Sequence, residues 1–593
     1  MPRRGASSSQ SGRMQIQAVG AAQGLAMGQA QLRLRPLIEI AEKRVPASAI
    51  DHQLDRLHCA VDAAREEMRA LRDRLRGAME REVGDILELH ALLIDDPELL
   101  QNLDALIRSH RYSAEYALQV QHATLTAIFK EMEDPYLQSR MDDLDHVITR
   151  IQAFLQHPPR ANANGKAGGI LISESVSPSE LAELQAQGVV GLITRVGSPL
   201  SHVAIMARSL CLPLVVSAGD ALFHKVNDGD VVIIDGSTGD IIVSPSARDV
   251  RLHQSRMRER AKAKRVLASF KHKPTLTADH VEITLRANGE SKEDIAHAYA
   301  IGCAGLGLYR SEFLALHRPQ LPDENAQFHA YRDAIVAMKG RCVTIRTLDL
   351  GADKIDRVGL GASDEFNPAL GVRGIRLLFK HPNLLKTQLR AILRASQYGP
   401  VRILFPMVSS REEIIRLRQL VRRVRTQLDK EGHKTAERIW LGVMIEIPAA
   451  AIALATLIEQ IDFISVGTND LIQYLLAADR NNEAVADLYS PLHPAVIQLL
   501  HHIVRTAQIH QKPVCLCGEM ANNPLYMPLL LGLGFQDFSL HPATLLEIRR
   551  TIRGCRWDDL QQQTAALLQA RDRRGLQKWL DANRPTHHPQ ARH

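Results

Sequence analysis

The sequence lacks the long apolar runs that membrane-spanning proteins carry. No apolar stretch reaches the roughly 18 residues that a spanning helix needs in this chain of 593 residues. The basic, Ser-rich start MPRRGASSSQSGR is not followed by the apolar core of a signal peptide. We therefore expect a cytoplasmic protein without membrane insertion, with a disordered N-terminal tail.

Cysteines are few, and their spacing suggests neither disulfides nor zinc. There are seven, an odd number, they are widely separated, and no C-x-x-C pair occurs. A disulfide framework and a zinc site are both disfavoured by this pattern. We expect buried thiols in a reducing compartment, with only Cys517 placed where chemistry is plausible.

A signature of nucleic-acid binding is also missing, although the net charge is +7. Residues 246–274 contain ten Lys or Arg against two acidic residues, a local excess of +8 that accounts for the whole imbalance. This stretch has no aromatic stacking platform, no recognition-helix motif and no zinc-finger motif. We therefore favour a solvated helix between domains, without a binding function, and expect no nucleic-acid partner.

Hydrophobic patterns divide the first half of the chain. QAVGAAQGLAMGQAQLRLRP alternates as a strand pair would, whereas residues 37–157 place apolar side chains at helical spacing in about five helices. GGILISE and GVVGLITRV then predict strands, SPSELAELQAQ a helix between them, and VVIIDGSTGDIIVSP a closing hairpin. We expect the early strands to join this sheet, so that the helical unit is an insertion.

The second half contains repeated strand and helix patterns. Eight β-like runs, most of them followed by helical stretches, occupy about 300 residues and predict a closed (β/α)8 barrel. An open, doubly wound sheet is the alternative on pattern alone. The runs are VEITLRAN, AGLGLYR, CVTIRTLD, VRILFPMV, WLGVMIEI, DFISVGT, PVCLCGE and QDFSL.

Chemically capable side chains follow the predicted barrel strands, where the active sites of such barrels lie. Carboxylates without a neighbouring His or Cys suit a hard cation such as Mg²⁺, and guanidiniums suit a phosphate or carboxylate. The pattern predicts a small phosphorylated anion bound with a divalent metal, with mutual salt bridges as the alternative. The positions are Arg310, Arg346, Asp349, Met407, Glu446, Asn469, Asp470, Cys517 and Glu519.

A second candidate site is the segment SPLSHVAIMARSLCLPLVV. His202 lies at a predicted loop-to-helix start, where backbone N–H groups can stabilise an added phosphoryl group. A structural histidine is the alternative from position alone.

With these motifs the chain resembles a known family, Enzyme I of the bacterial phosphotransferase system, which comprises the phosphoenolpyruvate–protein phosphotransferases. The similarity runs from about Gln15 to Arg573, and the motifs occur in the family's order. They are SHVAIMARSLCLP, GLGLYRSEFL, TIRTLDLGADK, FNPALGVRGIR, LFPMVSS, GVMIEIPAA, FISVGTNDLIQYLLAADR and CLCGEMANNP.

The resemblance implies a role for each site residue. His202 would be phosphorylated by phosphoenolpyruvate with release of pyruvate, and would pass the phosphate to a histidine of the carrier protein HPr. This is the first step of the system for sugar uptake or of its regulatory branch. The remaining roles are Arg310 and Arg346 on the substrate phosphate, Glu446 and Asp470 as Mg²⁺ ligands, Asn469 as a phosphate contact, Arg480 on the substrate carboxylate, and Cys517 as the acid that protonates the enolate.

Pattern and resemblance together predict a multidomain α/β protein. A swivelling α/β phosphohistidine domain with an inserted all-helical HPr-docking domain precedes a (β/α)8 TIM-type barrel, through which the chain would form a homodimer. The basic helix is expected to be the moving connector. The boundaries are a tail at 1–14, the phosphohistidine domain at 15–36 and 158–245, the docking domain at 37–157, the linker helix at 246–274, the barrel at 275–575 and a tail at 576–593.

The segment before His202 departs from the family pattern G-G-x-T-S-H. Ser198 replaces a glycine and Leu200 replaces a threonine, which removes a hydroxyl that could orient the imidazole. One alternative function is therefore a catalytically weak, phosphoenolpyruvate-sensing regulatory relative. Another is a pyruvate,phosphate dikinase or phosphoenolpyruvate synthase, but this chain has no room for their nucleotide-binding domain and no G-x-x-x-x-G-K-[ST] loop.

Overall fold

The computed structural model forms two compact units, residues 1–261 and 262–593. No helix among the described residues is both long and apolar enough to cross a membrane. The structure describes residues 13–33, 43–74, 93–94, 96–131, 144, 147–148, 150–152, 154–155, 168–174, 176, 181, 184–199, 201–210, 212–316, 322–351, 367, 369–480, 482, 485 and 487–584.

The first unit is built on an eight-stranded sheet with the order β1-β8-β7-β3-β4-β5-β6-β2. Strands β3 to β6 run parallel to one another, and the other neighbours are antiparallel. The strands are β1 (Met14–Gln17), β2 (Val19–Ala22), β3 (Leu25–Arg33), β4 (Gly169–Ser173), β5 (Gly191–Thr194), β6 (Leu214–Val216), β7 (Val231–Asp235) and β8 (Asp240–Val243).

The early strands join the sheet as predicted, but they are not a strand pair. β1 pairs with β8 and β2 pairs with β6, so one short segment supplies both sheet edges, while β3 lies between β4 and β7. Alternation of side chains fixes which face is buried, not which strand is the partner. Met14, assigned to the tail, instead begins β1. The predicted hairpin is confirmed as β7 and β8.

Helices cover both faces of this sheet. The segment between β3 and β4 supplies amphipathic helices whose apolar sides share a core with one face, including Leu57, Leu103 and Leu171. The predicted helical segment at 85–94 lies largely outside the described residues, as does much of SPSELAELQAQ, whereas the segment at 141–155 is described in part and its described residues are helical. The described helices are Ile50–Arg74, Pro97–His110, Ala114–Glu131, His202–Ser209, Asp220–Lys225 and Ala247–Ala268.

The second unit contains a closed barrel of eight parallel strands, which confirms the predicted topology and excludes the open sheet. Closure is made by β9 and β16, which pair from Thr284 opposite Asp537 to Ala287 opposite Leu540. The strands are β9 (Thr284–Gly289), β10 (Gly305–Arg310), β11 (Cys342–Arg346), β12 (Val401–Phe405), β13 (Trp440–Ile445), β14 (Phe463–Val466), β15 (Val514–Leu516) and β16 (Asp537–Leu540).

Helices surround the barrel, and their number exceeds one per strand. The last of them corrects the predicted tail from residue 576, because Leu576 and Leu580 are buried in the barrel's core. The helices are Lys292–Ala300, Phe313–Leu316, Glu324–Ala337, Ile375–Lys380, Pro382–Ala395, Arg411–Lys430, Pro448–Ile452, Leu454–Leu457, Thr468–Leu476, Pro494–Ile509, Glu519–Asn522, Met527–Gly532, Leu545–Arg553, Trp557–Gln562, Thr564–Leu568 and Arg573–Ala582.

Candidate active site

The barrel strands deliver the predicted residues to one mouth. Because the eight strands are parallel, their carboxyl ends share one side of the barrel. Arg310 and Arg346 are the last residues of β10 and β11, and Glu446 and Cys517 directly follow β13 and β15. Asn469 and Asp470 occupy the first turn of the helix Thr468–Leu476, which begins two residues after β14.

Three carboxylates meet at the centre of this mouth. One oxygen from each of Asp349, Glu446 and Asp470 lies within 4.8 Å of the other two, and all three residues are buried. Glu446 accepts a 2.6 Å hydrogen bond from the backbone N–H of Met407. Met407, which adopts a φ of 57°, therefore contributes its backbone N–H to this site.

Burial and neighbouring negative charges raise the pKa of one of the three carboxyl groups, that of Glu446. Burial, together with the carboxylates of Asp349 and Asp470, raises the pKa of Glu446 to about 8. A bound cation would oppose this shift, because it favours the ionised carboxylate.

Two guanidiniums hold the carboxylates in place. Arg346 donates to Glu312 at 3.1 Å and pairs with Asp349 at 3.2 Å. Arg373 pairs with Asp349 at 3.0 Å and with Asp470 at 2.8 Å. The polar side chains at these strand ends and in the adjoining loops therefore form one connected network of ion pairs.

The described charges of this network do not balance. With all four carboxylates ionised, as a bound cation favours, the two guanidiniums leave a formal charge of −2 in a buried setting, which is costly without a partner. A divalent cation would cancel it, and carboxylate oxygens are the ligands that hard cations take. The residues therefore fit a divalent metal. The six side chains are Glu312, Arg346, Asp349, Arg373, Glu446 and Asp470.

The same mouth offers donors to an anion. The Nε–H of Arg346 is buried and has no hydrogen-bond partner among the described residues. Arg310 is more exposed, at 39%, and pairs with Glu290 at 2.6 Å. A buried, unpaired donor of this kind is satisfied by a phosphate or carboxylate oxygen.

Asn469 and Arg480 lie at one side of the network and share a neighbour. The hydroxyl of Tyr489 donates to the backbone oxygen of Asn469 at 3.3 Å and is hydrogen-bonded to Arg480. The side-chain oxygen of Asn469 accepts from the backbone N–H of Glu519 at 2.8 Å. The carboxylate of Glu519 is exposed and does not join the buried cluster.

Cys517 points into the barrel next to this network. Its sulfur accepts a hydrogen bond from the hydroxyl of Ser465 at 3.2 Å, and the thiol donates to the backbone oxygen of Val466 at 3.4 Å. Burial raises the pKa of the Cys517 thiol, although the bond from Ser465 opposes the shift. The thiol is thereby kept protonated at neutral pH.

In the first unit, His202 begins the helix His202–Ser209, as the sequence predicts. Ser201 caps this helix, because its hydroxyl accepts from the N–H of Ala204 at 3.3 Å. Arg208 ties the helix to β2 and to the preceding loop by donating to the backbone oxygens of Ala21 and Pro199. The side chain of His202, and Leu200 with it, lie outside the described part of the chain.

Sequence reasoning missed the roles of Glu312 and Arg373, and did not assign Asp349 to the metal. Glu312 lies two residues after β10, so its position after a barrel strand was the available signal, whereas Arg373 lies in a long loop and only its motif, FNPALGVRGIR, could have pointed to it. The buried Gln388 was also missed, since it acts from a helix. Its amide donates to Ser311 and Tyr331 and accepts from the N–H of Leu348, which fixes the loop after β11.

Comparisons with known proteins agree with this geometry. Three family profiles match: PEP-utilising enzyme, N-terminal, at residues 17–140; its mobile domain at 165–239; and its PEP-binding domain at 264–556. A solution NMR structure of an Enzyme I protein (nEIt) is 28% identical and covers 42% of this chain and 99% of its own. Its TM-score is 0.36, too low to carry an argument about domain arrangement.

Curated relatives match along most of their length. The phosphoenolpyruvate-protein phosphotransferase of Cupriavidus necator is 40% identical over 569 residues, which are 94% of this chain and 97% of the relative. The protein of the same name from Geobacillus stearothermophilus is 38% identical over 539 residues, covering 91% and 93%. Because the identity is high over nearly the whole of both chains, the protein belongs to the phosphoenolpyruvate-protein phosphotransferase family, Enzyme I.

Proposed function

We propose that this chain is a transferase that moves the phosphoryl group of phosphoenolpyruvate onto His202, releases pyruvate, and then phosphorylates a histidine of an HPr-type carrier. The observation that carries the proposal is the barrel mouth, where a buried arginine with an unpaired N–H adjoins three clustered carboxylates and a protonated thiol. This set matches a small anion that carries both phosphate and carboxylate groups.

The arginines would bind the phosphoryl group. Arg346 presents a buried donor, and Arg310 can turn from Glu290 towards an anion at the mouth. Their charge neutralises the phosphate and the charge that develops on the departing enolate oxygen. The side-chain amide of Asn469 would add a contact to the phosphate. Arg480, which is hydrogen-bonded to Tyr489, would bind the substrate carboxylate.

Glu446 and Asp470 would hold Mg²⁺, with Asp349 close enough to be a third ligand. When bound, the ion would supply positive charge to the phosphate and enolate oxygens. Mg²⁺ prefers oxygen ligands, and the ligand group found among the described residues consists of three carboxylates, without His or Cys.

Transfer itself would be an in-line displacement. A neutral imidazole nitrogen of His202 forms a bond to phosphorus while the bond from phosphorus to the enol oxygen breaks. The electron pair stays on that oxygen as the enolate, and a proton from the Cys517 thiol reaches the terminal carbon to give pyruvate. The resulting thiolate is reprotonated from solvent. The capped helix at His202 supplies N–H groups that favour the phosphorylated state.

The chain is proposed to act with two protein partners, an HPr-type carrier and a second copy of itself. The helical segment of the first unit is proposed to dock the HPr-type carrier, and the barrel to form a homodimer. The helix Ala247–Ala268, which carries most of the excess basic charge, is proposed to be the connector that moves between charging and delivery.

The decisive experiment follows labelled phosphate from phosphoenolpyruvate with Mg²⁺ present. The chain should acquire an acid-labile, base-stable phosphate, and His202→Ala should abolish the labelling. His224→Ala is a matched control, because His224 is exposed in the same unit and should leave labelling unchanged. Labelling that survives His202→Ala would remove this histidine from the mechanism. Wild-type labelling without transfer to HPr would favour the sensing relative.

A further inference from the structure

Arg373 grips the carboxylate cluster from the loop that precedes the helix Ile375–Lys380. Its Nε donates to Oδ1 of Asp349 at 3.0 Å, and its Nη2 donates to Oδ2 of Asp349 at 3.0 Å. The same Nη2 reaches Oδ2 of Asp470 at 2.8 Å. One guanidinium thus bridges two of the three clustered carboxylates.

A third side of this guanidinium is held by Tyr474. Nη1 of Arg373 donates to the tyrosine hydroxyl at 3.1 Å, and that hydroxyl donates to the backbone oxygen of Ala369 at 2.6 Å. The side chain of Arg373 is only 17% exposed. Its position is therefore set by three partners rather than by solvent.

The contacts of Arg373 overlap with those that a metal ion would need. Asp349 and Asp470 supply two of the three oxygens within 4.8 Å of one another, and both carry hydrogen bonds from the guanidinium. We infer that Arg373 competes with the divalent cation for these carboxylates and so sets the metal affinity of the site. This inference rests on the proposed metal site and adds a residue that regulates its occupancy.

Electrostatics gives the inference two linked consequences. With all four carboxylates ionised, the six-residue network has a formal charge of −2, and removal of Arg373 makes it more negative by one. Loss of the guanidinium should therefore strengthen cation binding, because a repelling charge is gone and both carboxylates are freed. It should also lower stability when no metal is bound, because the carboxylates then repel one another without a bridge.

A purely structural role predicts the opposite sign for affinity. If Arg373 only shapes the loop, its removal misplaces the carboxylates and weakens metal binding. The two roles therefore predict opposite changes in the metal dissociation constant when Arg373 is replaced.

The test is calorimetric titration of the full chain with Mg²⁺ and, separately, Mn²⁺. Arg373→Met should bind the metal about tenfold more tightly than the wild type. Arg373→Lys keeps the positive charge and should stay within about threefold of the wild type. Arg394→Met is the matched control, because Arg394 pairs with Glu324 outside the network and should not change the affinity.

Thermal unfolding adds a second measurement. In chelator, Arg373→Met should unfold at a lower temperature than the wild type, and added Mg²⁺ should stabilise this variant more than it stabilises the wild type. Weaker or unchanged metal binding by Arg373→Met would overturn the inference.

Two further variants keep the outcomes distinct. Glu446→Gln should weaken metal binding in any case; if it does not, the proposed metal site itself fails rather than the role of Arg373. Tyr474→Phe removes only one partner of the guanidinium and should bind the metal about two- to threefold more tightly. If Arg373→Met does not fold in chelator, unchanged affinity in Tyr474→Phe would overturn the inference.

Discussion

Two cysteines of similar burial occupy different chemical surroundings inside the barrel. Cys515 lies within β15, and Cys517 directly follows that strand. Cys515 lies near Asp537 and Arg286, and burial raises its pKa. Cys517 lies near Arg346 and Glu446. Only Cys517 therefore adjoins the residues proposed to bind substrate.

This difference makes a prediction at the residue scale. Cys517→Ala should lower pyruvate formation about 10²- to 10³-fold, because it removes the proton donor. Substrate binding and metal affinity should be spared, since the arginines and carboxylates are unchanged. Cys515→Ala is the matched control and should leave turnover within about twofold. Rates of pyruvate release with and without HPr measure these effects.

The stereochemistry of protonation at the terminal carbon of the enolate can distinguish a catalytic Cys517 from a merely packed one. In deuterated water, with substrate labelled at that carbon, the wild type should deliver the proton to one face, and Cys517→Ala should lose the preference. Retained selectivity, or an equal defect in Cys515→Ala, would make Cys517 a packed thiol.

At the scale of elements, hydrogen bonds tie the last helices of the second unit to the segments on either side of β9. The buried side chain of Arg549 donates to the backbone oxygens of Phe270, Lys271, Ile301 and Gly302 and to the hydroxyl of Thr275. Asp279 accepts from the backbone N–H groups of Trp557 and Asp558 at 2.9 Å each, and so satisfies the start of the helix Trp557–Gln562. These contacts join residues that are 247 to 279 positions apart in the sequence.

Asp279→Ala should therefore cost about 1 kcal/mol of unfolding free energy, the usual effect of losing a helix cap. Burial opposes ionisation of Asp279, but hydrogen bonds from Thr277 and the two N–H groups hold its pKa well below the usual range. Because the folded pKa is the lower one, the carboxylate's contribution is full above the unfolded pKa near 4. It is lost as the pH falls through the folded value.

Denaturant titrations at several pH values would measure this contribution. The gap between the wild type and Asp279→Ala should be constant near neutral pH and should shrink below about pH 4. Asp333→Ala is a comparison, since Asp333 is paired on the surface with Lys292 and Arg332 rather than capping a helix. A gap that does not change with pH would show that the capping charge is not the cause.

At the scale of the whole molecule, the residues proposed for chemistry are divided between two compact units. His202 lies in the unit at 1–261, and the clustered carboxylates lie in the unit at 262–593. Each unit has its own buried apolar clusters. We therefore expect substrate binding and phosphate carriage to be separable properties of the chain.

A fragment of residues 1–273 should exchange phosphate with phosphorylated HPr, because it keeps His202 and the proposed docking helices. It should not be labelled by phosphoenolpyruvate, because the arginines and carboxylates of the barrel are missing. Circular dichroism must first show that the fragment is folded. Direct labelling of a folded fragment would contradict the assignment of substrate binding to the barrel.

The sequence by itself was enough to predict the barrel and most of its mouth. Eight short apolar runs separated by helical patterns determine parallel strands, and parallel strands place every residue that follows them on one side. Arg346, Glu446, Asp470 and Cys517 could be found this way because strand ends are local features. The start of the helix at His202 was equally local, since Ser201 is a common capping residue.

Only the tertiary structure decided which of these side chains meet and what joins them. The early segment was predicted as a strand pair, but β1 and β2 pair with distant strands, since alternation carries no information about partners. The bridge from Arg373 to Asp349 and Asp470 depends on a loop between β11 and β12, whose path no residue pattern specifies. Charge balance in the site is likewise a property of neighbours in space, because Coulomb interactions depend on distance and burial rather than on position along the chain.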